Sequence, residues 1–274
     1  MRNSPTDEHL LKQMEEIEYV KEARNYLLSF DDVNENILDA QLHEWKERKP
    51  TNLEDLFRAF LLHAQNRQGM PNSVGDISNL SSVLCDFQPK KVGEIYSSWE
   101  DIFDAIVASE YSPPGRMVKE NSKSYWVIYC KSIISVAKFL SSYESISEFD
   151  AFVDGFLTNE YSRLALPLLL KEELFGFGFA LACDFLKESG YPHFIKPDTH
   201  INDIARGLGI TSASNDFQIF KDVVAYCRRI NVVPYELDKL FWLVGSGRFY
   251  NFNVKIPSSK WEFIQIIRAK ELGQ

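Results

Sequence analysis

The segment Leu174–Ala182 reads Leu-Phe-Gly-Phe-Gly-Phe-Ala-Leu-Ala and joins two predicted helices through a pair of glycines. Glycine tolerates the positive φ angles that a very tight turn requires. The second helix then starts with backbone N–H groups that point outward at the positive end of its dipole, where a phosphate can bind without a basic side chain. An ordinary helix–turn–helix connection closed by glycine has the same pattern, so the pair alone does not establish phosphate binding.

Outward from this segment, the sequence predicts helices almost throughout its 274 residues. Apolar residues recur at helical spacing over Asp7–Phe30 and Ser122–Tyr143. Thr51 is the expected cap of a helix that runs to about Gln65, and Pro167 is expected in the first turn of the helix before the glycine pair. No segment alternates as a half-buried strand does. The predicted fold class is all-α.

The net charge of −9 is unlike the basic footprint of most nucleic-acid-binding proteins. Residues 1–50 carry 7 basic and 12 acidic side chains, whereas residues 171–274 carry 13 and 12. A local patch can still bind phosphate on an acidic protein, and we expect it in the last third. Hydrophobic residues make up 45% and aromatic residues 14%, which excludes intrinsic disorder of the whole.

No apolar stretch reaches the length of a membrane helix, and the first residues lack the apolar region of a secretory signal. We therefore expect no membrane association and a cytoplasmic location, at the nucleoid if the protein is bacterial. The four cysteines, Cys85, Cys130, Cys183 and Cys227, are too widely spaced for a zinc or iron–sulfur site. They are expected to be reduced, mostly buried thiols, and no metal site is predicted.

A second segment, Lys196–Ile201, reads Lys-Pro-Asp-Thr-His-Ile and follows the glycine pair. Asp198 lies twenty residues after Gly178, at the expected start of a helix. The common role of an aspartate there is to cap the helix. The two segments together, in this order and spacing, carry more information than either alone.

Together they resemble the helix–hairpin–helix (HhH-GPD) DNA glycosylase superfamily, which includes endonuclease III and alkyladenine glycosylase. In that family, a hairpin of the Leu-Pro-Gly-Val-Gly type is followed after a similar interval by a catalytic aspartate, often in Val-Asp-Thr-His. Here the segments read Leu-Phe-Gly-Phe-Gly and Pro-Asp-Thr-His. The resemblance covers roughly residues 53–250. It implies a two-lobed all-α fold, Asp198 as the catalytic residue, and a hairpin that binds the DNA backbone through Gly176, Phe177, Gly178 and Ala180.

The resemblance also implies how the chain is divided. Residues 1–50 are expected to form an acidic helical layer, residues 51–160 a helical lobe similar to a six-helix barrel, and residues 161–274 a second lobe that contains the hairpin. The catalytic cleft is expected between the two lobes.

Two departures from the family pattern bear on the reaction. Members that also cleave the DNA strand have a lysine two residues after the second hairpin glycine, and here that residue is Ala180. A Schiff base to the sugar needs an amine there, so no strand cleavage is expected. No cysteine follows Cys227, so the family's frequent iron–sulfur cluster is not expected either. The cofactor prediction is none, except for a monovalent cation at the hairpin as an open alternative.

The chemistry that the resemblance implies assigns roles to further residues. Breaking an N-glycosidic bond develops positive charge at the sugar, which a carboxylate stabilises while it deprotonates the attacking water. The base must first leave the helical stack. Asp55–Gln65 resembles a family helix whose last residue enters the vacated space, so Gln65 is a candidate wedge, with a solvated helix end as the alternative. The candidates for an aromatic base pocket, each alternatively a core residue, are Tyr125, Trp126, Tyr129, Phe241 and Trp242. Lys196 and Arg248 are candidates for phosphate contact.

The predicted function is therefore a monofunctional DNA glycosylase, expected as a monomer, whose partner is DNA containing a modified base. Its setting is either base-excision repair or defence against modified foreign DNA. A non-catalytic helix–hairpin–helix module that only binds DNA is the first alternative. A helical interaction protein without a nucleic-acid role is the second, and an enzyme with a lysine nucleophile elsewhere, such as Lys196, is a minor variant.

Overall fold

The computed structural model describes residues 19–66 and 69–272. These residues form fourteen α-helices: α1 (19–28), α2 (Glu35–Leu42), α3 (Leu53–Ala64), α4 (Met70–Val74), α5 (Pro89–Ile95), α6 (Trp99–Ala108), α7 (Tyr125–Leu140), α8 (Ile146–Phe156), α9 (Glu160–Glu173), α10 (Phe179–Glu188), α11 (Thr199–Gly207), α12 (Asp216–Arg229), α13 (Pro234–Ser246) and α14 (Lys260–Glu271). Of the helix predicted over Asp7–Phe30, the part before residue 19 lies outside the described residues.

Strand structure in this part of the chain is confined to one antiparallel pair, β1 (Arg248–Phe249) and β2 (Val254–Lys255). Four short 3₁₀ helices occupy Glu44–Glu47, Ile77–Leu80, Cys85–Phe87 and Tyr250–Phe252. The predicted all-α class is confirmed. Over the described ranges, no helix combines the length and apolar character needed to cross a bilayer.

The chain divides into two compact units that differ from the predicted division. The hairpin unit is Lys49–Ser189, and the split unit combines the segment that ends at Arg48 with the segment that starts at Gly190. Two features explain the difference. Helices α9 and α10 pack on each other, and α10 packs on α3, where the Phe60 and Phe185 rings stack at 3.6 Å. The described residues before 49 pack on the split unit, with α2 on α13 and Tyr26 on Phe263 of α14.

Helix α7 is the centre of the hairpin unit. It packs against α3, α4, α5 and α6, and Trp126, Tyr129 and Ile133 are fully buried along it. Phe60 of α3 contacts further aromatic rings from α7, α8 and the glycine hairpin. This core holds the hairpin through Phe177.

Helix α13 is the centre of the split unit. It packs against α2, α11, α12 and α14. Leu27 of α1 and Leu38 of α2 are fully buried. The Tyr26 hydroxyl donates to Glu262 Oε2 (2.7 Å), and its ring lies 5.7 Å from that of Phe263.

Two predicted helix starts are wrong. Helix α9 begins at Glu160, where Asn159 and Ser162 form a capping box, so Pro167 lies inside the helix. Helix α3 is capped by Asn52, whose Oδ1 accepts from the Asp55 N–H (2.7 Å), and not by Thr51.

Candidate active site

The glycine pair forms a tight hairpin between α9 and α10. Gly176 has a φ of +85°, and a Cβ there would lie 2.8 Å from Ser132 Oγ. Both the backbone conformation and the space therefore require glycine at this position. Gly178 caps α10 in an extended conformation without any side-chain hydrogen bond, and a Cβ there would meet nothing within 4 Å.

The hairpin backbone is tied to α7 by two serine hydroxyls. Ser132 Oγ donates to the carbonyl of Phe175 (3.0 Å). Ser135 Oγ donates to the carbonyl of Glu173 (3.1 Å) and accepts from the Phe175 N–H (2.9 Å). Phe177 is buried against Phe60, with ring centres 5.8 Å apart. The turn is thus rigidly held from the inside.

The outer edge of the hairpin suits an anion. Gly176 and Gly178 are exposed, and the first turn of any α-helix leaves backbone N–H groups without partners inside the helix. Ala180 lies half-buried in that first turn and offers no amine. Leu174–Gly178 contains no charged side chain, so a cation bound there would have only backbone carbonyls as ligands. Among the described residues no His, Cys, Asp and Glu cluster could hold a metal ion.

Asp198 caps α11 with one of its two carboxylate oxygens. Oδ1 accepts from the N–H groups of His200 (2.9 Å) and Ile201 (3.1 Å). Within the described part of the chain, Oδ2 accepts no hydrogen bond. The side chain is half-buried. The carboxylate is thus fixed through Oδ1 while Oδ2 keeps its capacity to accept.

Helix α13 positions this segment at two points. Asp238, which is 2% exposed, accepts from the Lys196 N–H through Oδ2 (2.6 Å). Gly245 lies so close to the His200 ring that a Cβ there would collide with it. Trp242 has the spacing that places it on the same face of α13 as Asp238 and Gly245, so it lies on the side of α13 that faces Lys196–His200.

His200 is half-buried, and its Nδ1 has no hydrogen-bond partner among the described residues. Burial lowers the pKa of the imidazole, and Lys260 lowers it further, against the opposing effect of Asp198 and Asp203. Lys260 itself is paired with Asp203 Oδ2 (2.7 Å).

Three of the predicted pocket residues belong to the core. Trp126 and Tyr129 in α7 and Phe241 in α13 are all fully buried, so none of them can contact a base in this structure. Their role is to pack helices together. Tyr125 is half-buried, and its hydroxyl lies against Gly69.

Gln65 does not extend into solvent as a wedge would. It is 6% exposed, and its Nε2 donates to the carbonyl of Gly75 (3.2 Å). The Gln65 side chain therefore stays inside the unit, where its amide group supplies a hydrogen-bond donor to the loop after α4.

The remaining predicted residues are accessible. Trp242 is half-buried, Lys196 is half-buried and Arg248 is exposed. Sequence reasoning missed Tyr250, which is 65% exposed and lies 5.6 Å from the Trp242 ring at an angle of 32°. Its hydroxyl accepts from Arg248 Nη1 (3.5 Å). The mixed basic and aromatic run Arg-Phe-Tyr-Asn-Phe after Gly247 was the signal that could have found it.

No protein-family model matches the chain, and no curated protein matches it at a significant level. Solved structures do match. One is the 8-oxoguanine glycosylase/lyase of Methanocaldococcus jannaschii in complex with a 15mer DNA containing 8-oxoguanine: 14% identity, 84% of this chain and 98% of that chain covered, TM-score 0.49. Another is the 8-oxoguanine DNA glycosylase of the same organism: 15% identity, 88% and 98% covered, TM-score 0.48.

Proposed function

We propose that this chain is a monofunctional DNA glycosylase, which extrudes a modified or damaged base and hydrolyses its N-glycosidic bond to leave an abasic site. The observation that carries the proposal is the carboxylate of Asp198, which is held by two backbone N–H groups through Oδ1 while Oδ2 accepts none. A helix–hairpin–helix module that only binds DNA has no need of such a carboxylate.

The two carboxylate oxygens of Asp198 have different roles. Oδ1 fixes the orientation, and Oδ2 faces the reaction. The C1′–N bond breaks and its electron pair leaves with the base, and the oxygen of a water molecule forms the new bond to C1′. Oδ2 stabilises the positive charge that develops at the sugar and accepts the proton of that water. Because the pKa of His200 is lowered, its ring adds no positive charge beside that centre near neutral pH.

The DNA backbone binds at the hairpin. Backbone N–H groups at the start of α10 need no basic side chain to bind a phosphate, which suits a chain of net charge −9. In the split unit, Lys196 and Arg248 are proposed as further phosphate contacts because both are accessible.

The extruded base stacks on aromatic side chains of the split unit. Trp242 is the one predicted pocket residue that is both accessible and on the face of α13 that holds the Asp198 segment, and Tyr250 extends its surface. Stacking of this kind contributes about 1–3 kcal/mol per base. The proposed reaction needs no contact from Gln65, Trp126, Tyr129 or Phe241.

The proposal excludes strand cleavage by the family's lysine route, because Ala180 cannot form a Schiff base. It covers both biological settings, repair of damaged bases and removal of modified bases from foreign DNA. The class of base that the protein excises distinguishes the two settings. Excision of alkylated, oxidised or deaminated bases points to repair, and excision of bases with bulky enzymatic modifications points to defence.

The test is base release from DNA pools that carry different modifications. Asp198→Asn should abolish release, by at least about 100-fold, while it keeps the fold, because asparagine caps helices as well as aspartate does. Asp216→Asn is the matched control: it makes the same change in the first turn of α12, in the same unit, and should keep activity. The product should be free base and an alkali-labile site.

Other outcomes point to the alternatives. DNA binding that survives Asp198→Asn, with no base released from any pool by the wild type, would favour the non-catalytic module. Neither binding nor release would favour the interaction protein. A covalent DNA adduct trapped by borohydride, and lost in Lys196→Gln, would reveal a lysine nucleophile.

A further inference from the structure

Lys131 of α7 lies beside the hairpin with its ammonium group against two aromatic rings. Its Nζ is 5.2 Å from the centre of the Trp99 ring and 5.5 Å from that of Phe175. Trp99 begins α6, and Phe175 belongs to the hairpin itself, where it is 46% exposed. Both distances fall within the range of a cation–π interaction.

The two rings order this ammonium group without neutralising it. In the described residues no carboxylate lies within ion-pair distance of Lys131. Several other lysines of the hairpin unit pair with carboxylates, among them Lys49 with Asp150, Lys119 with Asp104 and Lys171 with Glu172. A carboxylate cancels the charge of a lysine, whereas an aromatic face holds it and leaves the net charge available to an anion.

Hydrogen bonds from α7, the helix that carries Lys131, hold the hairpin in place. The adjacent Ser132 donates to the carbonyl of Phe175, and Ser135, one turn further along α7, bonds Phe175 and Glu173. Glu172 and Glu173 end α9 just before the turn and are exposed. A cation held beside the turn offsets their negative potential.

We infer that Lys131 is a second DNA-backbone contact, which binds a phosphate neighbouring the one at the hairpin while the exposed Phe175 ring packs on the sugar between them. Nucleic acid is the occupant that fits, because its backbone alternates anionic phosphates with apolar sugar faces, as this surface alternates N–H groups, an apolar ring and a cation. The rings also restrict the side chain in advance, so less rotamer entropy is lost on binding. The inference rests on the proposed function.

The experiment is a salt series of binding constants for a duplex with one abasic site, measured by fluorescence anisotropy. Each phosphate contact adds about 0.9 to the slope of log K against log salt. Lys131→Gln should weaken binding and reduce that slope by about 1, and Lys131→Arg should restore both. Phe175→Ala should weaken binding without changing the slope, because it removes apolar contact and no charge.

Lys138→Gln is the matched control. It lies on the same helix two turns away, and its ammonium donates to the carbonyl of Ser97 (3.1 Å) and to no group of the hairpin among the described residues, so slope and affinity should stay as in the wild type. Wild-type affinity and slope in Lys131→Gln would overturn the inference while leaving the proposed function standing. Absence of DNA binding by the wild type would overturn the proposed function and this inference with it.

Discussion

His200, a half-buried side chain beside Asp198, links the candidate site to the stability of the fold. Burial and the nearby ammonium of Lys260 lower the pKa of His200 in the folded chain. In the unfolded chain the ring regains its ordinary pKa of about 6.5. Between the two values the unfolded chain binds more protons than the folded one. Stability contributed by the neutral ring is therefore complete above the unfolded pKa and is lost as the pH falls below it.

We therefore expect the wild type to lose more unfolding free energy than His200→Gln between about pH 7.5 and about pH 5.5. Urea denaturation at the two pH values measures this difference. His63→Gln is the control, since it removes another half-buried histidine, whose Nδ1 is bonded to the carbonyl of Ala59 (2.8 Å). Equal pH dependence in the wild type and His200→Gln would contradict the expectation.

Sequence predicted the position of Asp198 at the start of α11 because capping is a local property. It could not separate pocket from core among the aromatic residues. Trp126 and Tyr129 lie in α7, which neighbours cover on most sides, so helical spacing marks both residues without showing which face a ligand could reach. Tyr250 lies in a 3₁₀ helix of three residues, which is too short for a periodic pattern, and its packing on Trp242 shows its relevance.

At the scale of elements, the hairpin owes its shape to Gly176 and its accessibility to Gly178. An alanine at Gly176 would adopt a left-handed conformation and would crowd Ser132, which holds the Phe175 carbonyl. An alanine at Gly178 would meet open space. Substitution of Gly176 should therefore affect the stability of the fold, and substitution of Gly178 should affect DNA binding.

Gly176→Ala should lower the unfolding free energy by at least about 1–2 kcal/mol, the cost of left-handed backbone in a residue with a Cβ. Gly178→Ala should change it by less than about 0.5 kcal/mol, because a poorer N-cap is offset by reduced freedom of the unfolded chain. Its methyl group should nevertheless weaken DNA binding by blocking close approach of a phosphate. Urea denaturation measures the unfolding free energy of both variants, and fluorescence anisotropy measures their DNA affinity. Equal destabilisation, or unchanged binding in Gly178→Ala, would contradict it.

The sequence predicted the presence of α3 and α9 correctly but placed the first residue of each helix wrongly. Thr51 and Asn52 are both good capping residues and are adjacent, so only the backbone conformation, extended at Asn52, selects the cap. Pro167 is typical of a first helical turn, yet the capping box of Asn159 and Ser162 starts α9 at Glu160, about two turns earlier. Local signals compete here, and sequence does not rank them.

At the scale of the whole molecule, the split unit is the feature that the sequence did not reveal. It joins residues from both ends of the described chain, and nothing in a local pattern reports which distant segments share a core. Ala23, Leu27 and Leu38 are fully buried, and Val33 and Leu42 nearly so. Burying each leucine-sized side chain contributes about 1.5–3 kcal/mol. Together these residues supply as much as the net stability of a typical domain, about 5–15 kcal/mol.

The two units should therefore behave differently as fragments. Residues 49–189 are contiguous and have their own aromatic core, so they should unfold cooperatively alone. Residues 190–274 should show no cooperative transition until a peptide of residues 19–48 is added, because Tyr26 then covers Phe263 of α14, and α2 covers α13. Thermal unfolding followed by circular dichroism, with and without the peptide, measures this. A cooperative transition of residues 190–274 alone, unchanged by the peptide, would mean that the acidic N-terminal segment only covers a unit that is already stable.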